Sequence, residues 1–400
     1  MPFSAEKALA VIPVFNHGAT LRAVAEGTLA VHPRLLVVDD GSDEPAAPLL
    51  AGLPLTVLRH QTNRGKGAAI TTAAAYALEA GFTHIITLDA DGQHDPAQLP
   101  DFLARMALTP RAFIVGARDF AGAGDVPFSS RFGRGFSEFW MFIQTTRRVS
   151  DMQSGYRAYP LAALTRLKVR DRHYSFEIEV LVKAAWGGFE IAEIPVRVHY
   201  PKRSERVSHF RSFRDNFRIT ILNTRLTVRA LIPVPFQGYA WDDGGRVSLL
   251  RPLASLKLLL EDRATAASLA ASTFVAIVVC ALPIPGFQSL LMLFLIAVFR
   301  FNRLWPLAVS QACLPPFMPA FCIEIGHFVN HGLWLTDISW RSLGLEVGQR
   351  FWDWLVGAAV GGGLAGGALA LAVFAAARLI GRGLNKKAGR GRAAAEGGRP

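Results

Sequence analysis

From Ala8 to about Tyr200, short β-branched apolar runs alternate with stretches whose apolar residues recur at helical spacing. Ala8–Val14, Leu35–Asp39, Leu55–His60, His84–Asp89 and Ala112–Gly116 read as strands. Ala19–Val31, Lys66–Ala80 and Pro96–Ala107, which lie between them, read as helices. Such alternation predicts a parallel sheet with helices on both faces. In such sheets ligands bind beyond the carboxyl ends of the strands. The polar clusters Asn16-His17, Asp39-Asp40-Gly41-Ser42 and Asp89-Ala90-Asp91 each fall at a strand end, so one cleft is expected to receive all three.

The pattern changes beyond Tyr200. Phe210, Phe213, Phe217 and Ile221 recur at helical spacing with Arg211, Arg214, Arg218 and Arg225 beside them. That amphipathic helix suits either a membrane interface or the flank of the first domain. After a polar joint at Tyr239–Arg246, Ala264–Leu282 and Leu355–Ile380 are apolar over lengths that cross a bilayer. Phe287–Phe299 and Leu304–Ile325 are shorter or broken by proline and read as irregular spans or a re-entrant hairpin. Arg300 and Arg303 mark a cytoplasmic turn, while Asp337, Glu346 and Asp353 suit the opposite side. The expected divisions are 1–205, 206–235, 236–385, and a disordered basic tail at 386–400.

Composition supports this division. The chain has 400 residues, 51% hydrophobic and only 18% charged, which is apolar for a soluble enzyme. Its net charge of +12 resides in two stretches, each of +6. Lys202–Arg229 holds eight basic and two acidic residues, and the segment from Arg378 onward holds seven and one. Both flank apolar segments, which fits anionic lipid headgroups and not nucleic acid. Cys280, Cys313 and Cys322 lie in apolar runs without a partnering His or Cys at ligand spacing, so neither a disulfide framework nor a zinc site is expected. No basic segment followed by a long apolar run opens the chain, and the first domain is expected to stay in the cytosol.

The candidate chemistry lies in the first half. Asp89-Ala90-Asp91-Gly92-Gln93-His94 sets two carboxylates two residues apart at the end of a strand. Oxygen ligands of this kind suit Mg2+ or Mn2+ holding a diphosphate. Asp39 and Asp40 are placed to accept from a base or ribose. Asn63-Arg64-Gly65-Lys66-Gly67 opens a helix, where its glycines let backbone amides approach an anion and Lys66 adds charge. Gly116-Ala117-Arg118 closes the fifth strand, and Asp151 to Arg157 supplies a further carboxylate and guanidinium. Tyr174-Ser175-Phe176-Glu177-Ile178-Glu179 stands at the mouth of a helix. Arg131 and Arg134 follow a glycine-containing loop, Ala121–Pro127, and are candidates to grip an acceptor phosphate.

In their order, these motifs resemble the family 2 glycosyltransferases, specifically the dolichol-phosphate mannosyltransferase-like branch, from about Ala8 to Tyr200. The resemblance implies an α/β GT-A fold, Rossmann-like with a mostly parallel sheet, followed here by an α-helical transmembrane domain. It implies a nucleotide-sugar donor, a divalent cation and inversion at the anomeric carbon. By position, Pro13, Asp39, Asp40 and Lys66 would serve the nucleotide-sugar. Asp89, Asp91 and Gln93 would hold metal and diphosphate, Arg118, Arg131 and Arg157 would face phosphates, and Asp151 matches the family's catalytic-side acid. One position departs: the family's Pro-x-Tyr-Asn-Glu is here Pro13-Val14-Phe15-Asn16-His17, an imidazole in place of a carboxylate. The processive Gln-x-x-Arg-Trp signature is absent. The C-terminal half, with Pro283-Ile284-Pro285-Gly286-Phe287-Gln288, resembles an uncharacterised bacterial membrane-domain family.

The expected reaction is a single displacement onto a lipid-phosphate acceptor at the bacterial inner membrane, with catalytic domain and tail cytoplasmic and membrane lipids as partners. An ionised phosphate needs no base; a hydroxyl acceptor would call on Asp151. The rival readings are a lipid or glycolipid hydroxyl acceptor, a nucleotidyltransferase, and a lipid carrier with a regulatory nucleotide-binding domain.

Overall fold

The computed structural model describes residues 4–119, 128–199, 212–232, 265–284, 286–302, 304–313, 317–335 and 347–396. The chain divides into two compact units. One comprises Met1–Arg229 with Phe236–Gly244, the other Ala230–Pro235 with Gly245–Pro400. The loop Ala121–Pro127, Phe210, Arg211, the joint Tyr239–Arg246, Arg303, Asp337 and Glu346 lie outside the described residues.

The first unit is a seven-stranded sheet ordered β3-β2-β1-β4-β6-β5-β7. The strands are β1 (Ala8–Val14), β2 (Leu35–Asp39), β3 (Thr56–Arg59), β4 (His84–Thr87), β5 (Phe113–Asp119), β6 (Arg157–Pro160) and β7 (Ile191–Arg197). All pairings are parallel except those of β6, which runs antiparallel to both β4 and β5. The sheet is thus mixed and mostly parallel, as expected, with β6 among the strands that the apolar alternation did not reveal. The helices are α1 (Gly18–Val31), α2 (Ala46–Leu49), α3 (Lys66–Glu79), α4 (Leu99–Leu108), α5 (Phe128–Thr145), α6 (Leu161–Arg166), α7 (Phe176–Trp186) and α8 (Ser212–Leu231).

Every residue of β1 and β2 is buried, which is why both read as unbroken apolar runs and not alternating ones. Alternate side chains feed two cores. Leu9, Val11, Leu36 and Val38 join α3 and α7 on one face; Ala10, Ile12, Leu35 and Val37 join α1 and α4 on the other. Because β1, β2 and β4 are parallel in register, residues 15–17, 40–42 and 88–91 emerge at the same edge.

α8 packs along the flank of the first domain, one of the two placements expected for the amphipathic helix. Leu222 and Leu226 are buried in the core, and Gln144 of α5 donates to Asn223 Oδ1 at 3.3 Å and Thr227 Oγ1 at 3.1 Å. One turn away, Phe217, Ile221 and Val228 are each more than half exposed.

The described residues of the second unit are mostly helical. Among its described residues one helix, Arg350–Leu379, is long and apolar enough to cross a membrane. The run 264–282 forms only Ala266–Ala281, 16 residues. At 1.5 Å per residue that is about 24 Å, short of a bilayer core of about 30 Å. The final helix continues through Glu396, where composition predicts disorder.

Candidate active site

A cavity of about 500 Å³ opens at the carboxyl edge of β1, β2 and β4. Pro13, Asp40, Lys66, Asp89 and Asp91 line it, so five of the residues singled out in the sequence converge on one space. Lys66 carries the floor. Its ammonium is paired with Asp89 and lies 2.7 Å from Glu177 Oε1 on α7. Burial opposes the Lys66 charge, but the two carboxylates more than offset it and hold its pKa above the ordinary lysine value. Burial likewise works against ionised Asp89, yet Lys66 and His94 bring its pKa down to about 2.

Asp91 is different. Burial and then the neighbouring Asp89 charge push its pKa up, while the Gln93 amide donates to its Oδ1 at 2.9 Å. Glu177 is raised too, by burial against the pull of Lys66. Lys66 thus stands among three carboxylates, of which Asp89 and Asp91 line the cavity and Glu177 lies behind it. Burial lowers the pKa of His94 against the pull of Asp89 and Asp91, and its Nδ1 lies 3.8 Å from Asp89 Oδ2 without a hydrogen-bond partner. Excess negative charge at Asp91, beside an imidazole nitrogen lacking a donor or acceptor, is an environment that a divalent cation would relieve. Gln93 does not line the cavity; its main-chain oxygen accepts from His199 at 2.9 Å.

The glycine-containing loop serves an unexpected purpose. The amides of Arg64 and Gly65 donate to Asp40 at 3.0 and 2.7 Å, so they point at a carboxylate of the protein itself. Gly65 has φ +98°, and a Cβ there would strike the Arg172 carbonyl; one on Gly67 would meet Phe176 Cβ at 2.6 Å. These glycines are small so that 172–176 can close against the loop and bring His173 and Tyr174 to the cavity wall.

Other predicted residues lie elsewhere. Asp39 is fully buried and accepts from the Ser42 amide, the Ala46 amide and Arg59 at 2.9, 3.0 and 2.7 Å; it builds the turn after β2. Arg157 is fully buried, and its guanidinium donates at 2.6 Å to the carbonyls of Ser154, Glu177 and Met152. It braces the 151–157 loop and does not reach the cavity. Asp151 has no exposed surface and is gripped by Arg118; burial raises the carboxyl, but the guanidinium wins and depresses its pKa. Arg134 donates to the carbonyls of Ser150 and Arg118 at 2.5 and 2.9 Å. Arg118 and Arg134 border a separate hollow of about 320 Å³. Arg131 belongs to α5, but its side chain lies outside the described residues.

The sequence did not mark Phe15, His173 or Arg218 as ligand-facing, and all three line the cavity together with His17, which was expected in the cleft. The substitution of histidine at 17 was visible; Arg218 stood in the sequence only as a flank of the α8 stripe. Glu177 and Glu179, at the mouth of α7, are both buried. Glu179 is 1% exposed and joins Lys183 at 2.8 Å, Arg225 of α8 at 3.0 Å, and the amides of Arg170 and Asp171.

A polar, acid-lined cleft at the carboxyl edge of a mostly parallel sheet defines a ligand-binding α/β domain. The family described as "Glycosyl transferase family 2" matches residues 9–172, and "Uncharacterized protein conserved in bacteria (DUF2062)" matches residues 252–388. An uncharacterized glycosyltransferase of Mycobacterium bovis is 30% identical over 46% of this chain and 82% of its own length. The undecaprenyl-phosphate mannosyltransferase of Micrococcus luteus is 28% identical over 48% of this chain and 82% of that protein. The UDP-N-acetylglucosamine–dolichyl-phosphate N-acetylglucosaminyltransferase of Methanococcus voltae is 26% identical over 48% and 86%. Among solved structures, glucosyl-3-phosphoglycerate synthase from Mycobacterium tuberculosis superposes with TM-score 0.43 at 16% identity, covering 56% of this chain and 79% of that one. The chain belongs to glycosyl transferase family 2 and carries a C-terminal domain of the uncharacterised bacterial family. It is a glycosyltransferase.

Proposed function

We propose that this enzyme moves a hexose-type sugar from a nucleotide-diphosphate sugar to a polyprenyl- or dolichyl-phosphate-type lipid, in one inverting displacement on a GT-A scaffold. The observation that carries the reading is the joint lining of one cavity by Asp89, Asp91 and Lys66 at the sheet edge and Arg218 from α8. The acceptor class follows the two relatives named for undecaprenyl and dolichyl phosphate.

Pro13 and Asp40 form the wall where a nucleoside would lie. Asp89 and Asp91 would hold Mg2+ or Mn2+, which supplies Lewis-acid neutralisation of the departing diphosphate. Lys66 fixes Asp89 in its ionised form and keeps positive charge beside the leaving group. Arg218, next to the outward Phe217 and Ile221, receives the acceptor phosphate while those side chains lie against the lipid. The phosphate oxygen is already ionised and needs no proton removed. That agrees with Asp151 being locked to Arg118 with a depressed pKa instead of poised as a base. The enzyme works at the bacterial inner membrane, its first unit and basic tail on the cytoplasmic side and its second unit in the bilayer.

The decisive experiment incubates the full chain in detergent with a panel of nucleotide sugars and undecaprenyl phosphate, reading products by mass. A glycosylated lipid phosphate with nucleoside diphosphate released is the expected result. Transfer only to a hydroxyl acceptor, or release of pyrophosphate, would replace this reading with one of its rivals.

A further inference from the structure

The helix Phe317–His331 and the helix Val347–Gly357 of the second unit come together unusually closely. A Cβ on Gly326 would collide with the Asp353 carbonyl, and one on Gly357 with the Cys322 carbonyl. Two glycines therefore allow backbone-to-backbone approach at this crossing. What the approach brings together is a polar cluster in an otherwise apolar region. His327 and His331 stand four residues apart on one face of the first helix, and Asp353 points at both from the second. His327 Nδ1 lies 3.1 Å from Asp353 Oδ2, and His331 Nε2 lies 3.6 Å from Oδ1. One ligand atom from each residue falls within 4.8 Å of the other two.

We propose that His327, His331 and Asp353 form a binding site for a divalent transition cation, Zn2+ foremost, distinct from the cation of the transferase cavity. Two imidazoles and a carboxylate are a borderline ligand set that suits zinc and not Mg2+. Histidines at i and i+4 present nitrogens to one point on a helix face. With metal–ligand bonds of about 2.0–2.2 Å, tetrahedral ligand atoms stand roughly 3.3–3.5 Å apart; each imidazole already lies near that distance from one Asp353 oxygen, Oδ2 for His327 and Oδ1 for His331. Three protein ligands leave a fourth position for water, and His331, more than half exposed, marks the side of entry. Asn330 Nδ2 donates to Asp353 Oδ1 at 2.8 Å and orients the carboxylate as an outer-shell partner.

Arg350 makes the proposal sharply testable. Its Nη1 lies 3.6 Å from Asp353 Oδ2 and 3.3 Å from His327 Nδ1, so its charge competes with a cation for the same ligands. If the cluster is a metal site, removing that charge tightens binding. If it is only an ion-pair network joining two helices, removing it merely weakens the crossing.

The test uses full-length protein in detergent, free of any histidine tag, stripped with chelator and titrated with Zn2+ and separately with Co2+. Asp91→Ala is carried as a parallel background so that the transferase cavity does not contribute. The expected result is about one equivalent of Zn2+ per chain retained on dialysis, with visible Co2+ absorption of a four-coordinate site. His331→Gln, a change at an exposed position that the fold tolerates, should weaken binding on the order of a hundredfold. Arg350→Gln should bind several-fold more tightly than the parent chain. Absence of a retained equivalent, binding indifferent to His331→Gln, or weaker binding by a folded Arg350→Gln protein would each overturn the site.

Discussion

Arg118 holds Asp151 by two parallel hydrogen bonds, Nε to Oδ2 at 2.7 Å and Nη2 to Oδ1 at 2.9 Å. The Arg118 amide reaches Oδ2 as well, at 3.2 Å. Both carboxylate oxygens are therefore committed, and the pair stands within a chain of contacts that continues through Arg134 to the 118 and 150 carbonyls. Asp151 orients Arg118 in this arrangement; it does not await a proton.

Asp151→Asn should accordingly destabilise the first unit by about 3–5 kcal/mol, the usual cost of stripping one partner from a buried pair. Activity should fall with stability, and the pH–rate profile should keep its shape. The Asp151 pKa is depressed on folding, so the stability it contributes is present above the unfolded value near 4 and is lost as pH falls through the folded one. A fully stable variant that loses an acidic-limb ionisation from its profile would instead restore Asp151 as the base and favour a hydroxyl acceptor.

Asp91→Ala should lower turnover on the order of a hundredfold or more, since a ligand oxygen and its charge go together. The raised Asp91 pKa adds a pH signature. Only the ionised carboxylate binds a cation, so cation affinity should decline as pH drops through a value above the ordinary aspartate range, while Asp89, held near 2, stays ionised. Activity at fixed Mn2+ should therefore fade on the acidic side and recover with more Mn2+. Mn2+ titrations of the parent and of Asp91→Ala from pH 4 to 8 measure this; an acidic decline in affinity identical in the two proteins would remove Asp91 from the metal site.

The strands that read clearly were those buried on both faces, because burial writes an unbroken apolar run into the sequence; β1 and β2 are the plainest cases. β6 was not legible. Arg157-Ala158-Tyr159-Pro160 is short and contains a fully buried arginine, whose cost is met by three carbonyls that no spacing rule reveals. The same gap separates residue type from residue role in the site. Asp39 and Asp40 are adjacent and chemically alike, yet one builds a turn and the other lines the cavity, because alternate residues leaving a strand face opposite ways. Arg118, Arg134 and Arg157 carried phosphate-binding chemistry in sequence, and their partners turned out to be protein oxygens.

Lys66→Met should be more damaging than Glu177→Gln. The first leaves Asp89 and Glu177 facing one another without their shared cation, at a cost of about 3–5 kcal/mol and a Tm lower by roughly 10 °C. The second removes a carboxylate whose ionisation burial already resists, and Lys66 keeps Asp89. Mg2+ or Mn2+ should rescue the Tm of Lys66→Met more than that of the parent. Thermal melts of the three proteins with and without cation give the comparison, and equal losses would mean that Lys66 is not the charge on which the cluster depends.

In α8, outward apolar side chains and a cavity-lining arginine are adjacent in sequence. Phe217 and Ile221 are outward while Arg218 lines the cavity, so a phosphate bound by Arg218 has its lipid tail directed along an apolar stripe. A charge-assisted contact of this kind is worth about 1.5–3 kcal/mol. Arg218→Gln should therefore raise KM for a polyprenyl-phosphate acceptor by about ten- to a hundredfold. Slow hydrolysis of the donor, which needs no acceptor, should stay within about twofold. Phe217→Ser with Ile221→Ser should raise the same KM for long-chain acceptors but leave a short water-soluble isoprenyl phosphate unaffected, because only the long tail reaches the stripe. Leu222 and Leu226 bury the opposite face, so neither pair of changes should unfold the domain. Steady-state kinetics with long and short acceptors distinguishes the two contributions. An Arg218→Gln enzyme with unchanged acceptor KM would move the phosphate site elsewhere, to the hollow bordered by Arg118 and Arg134.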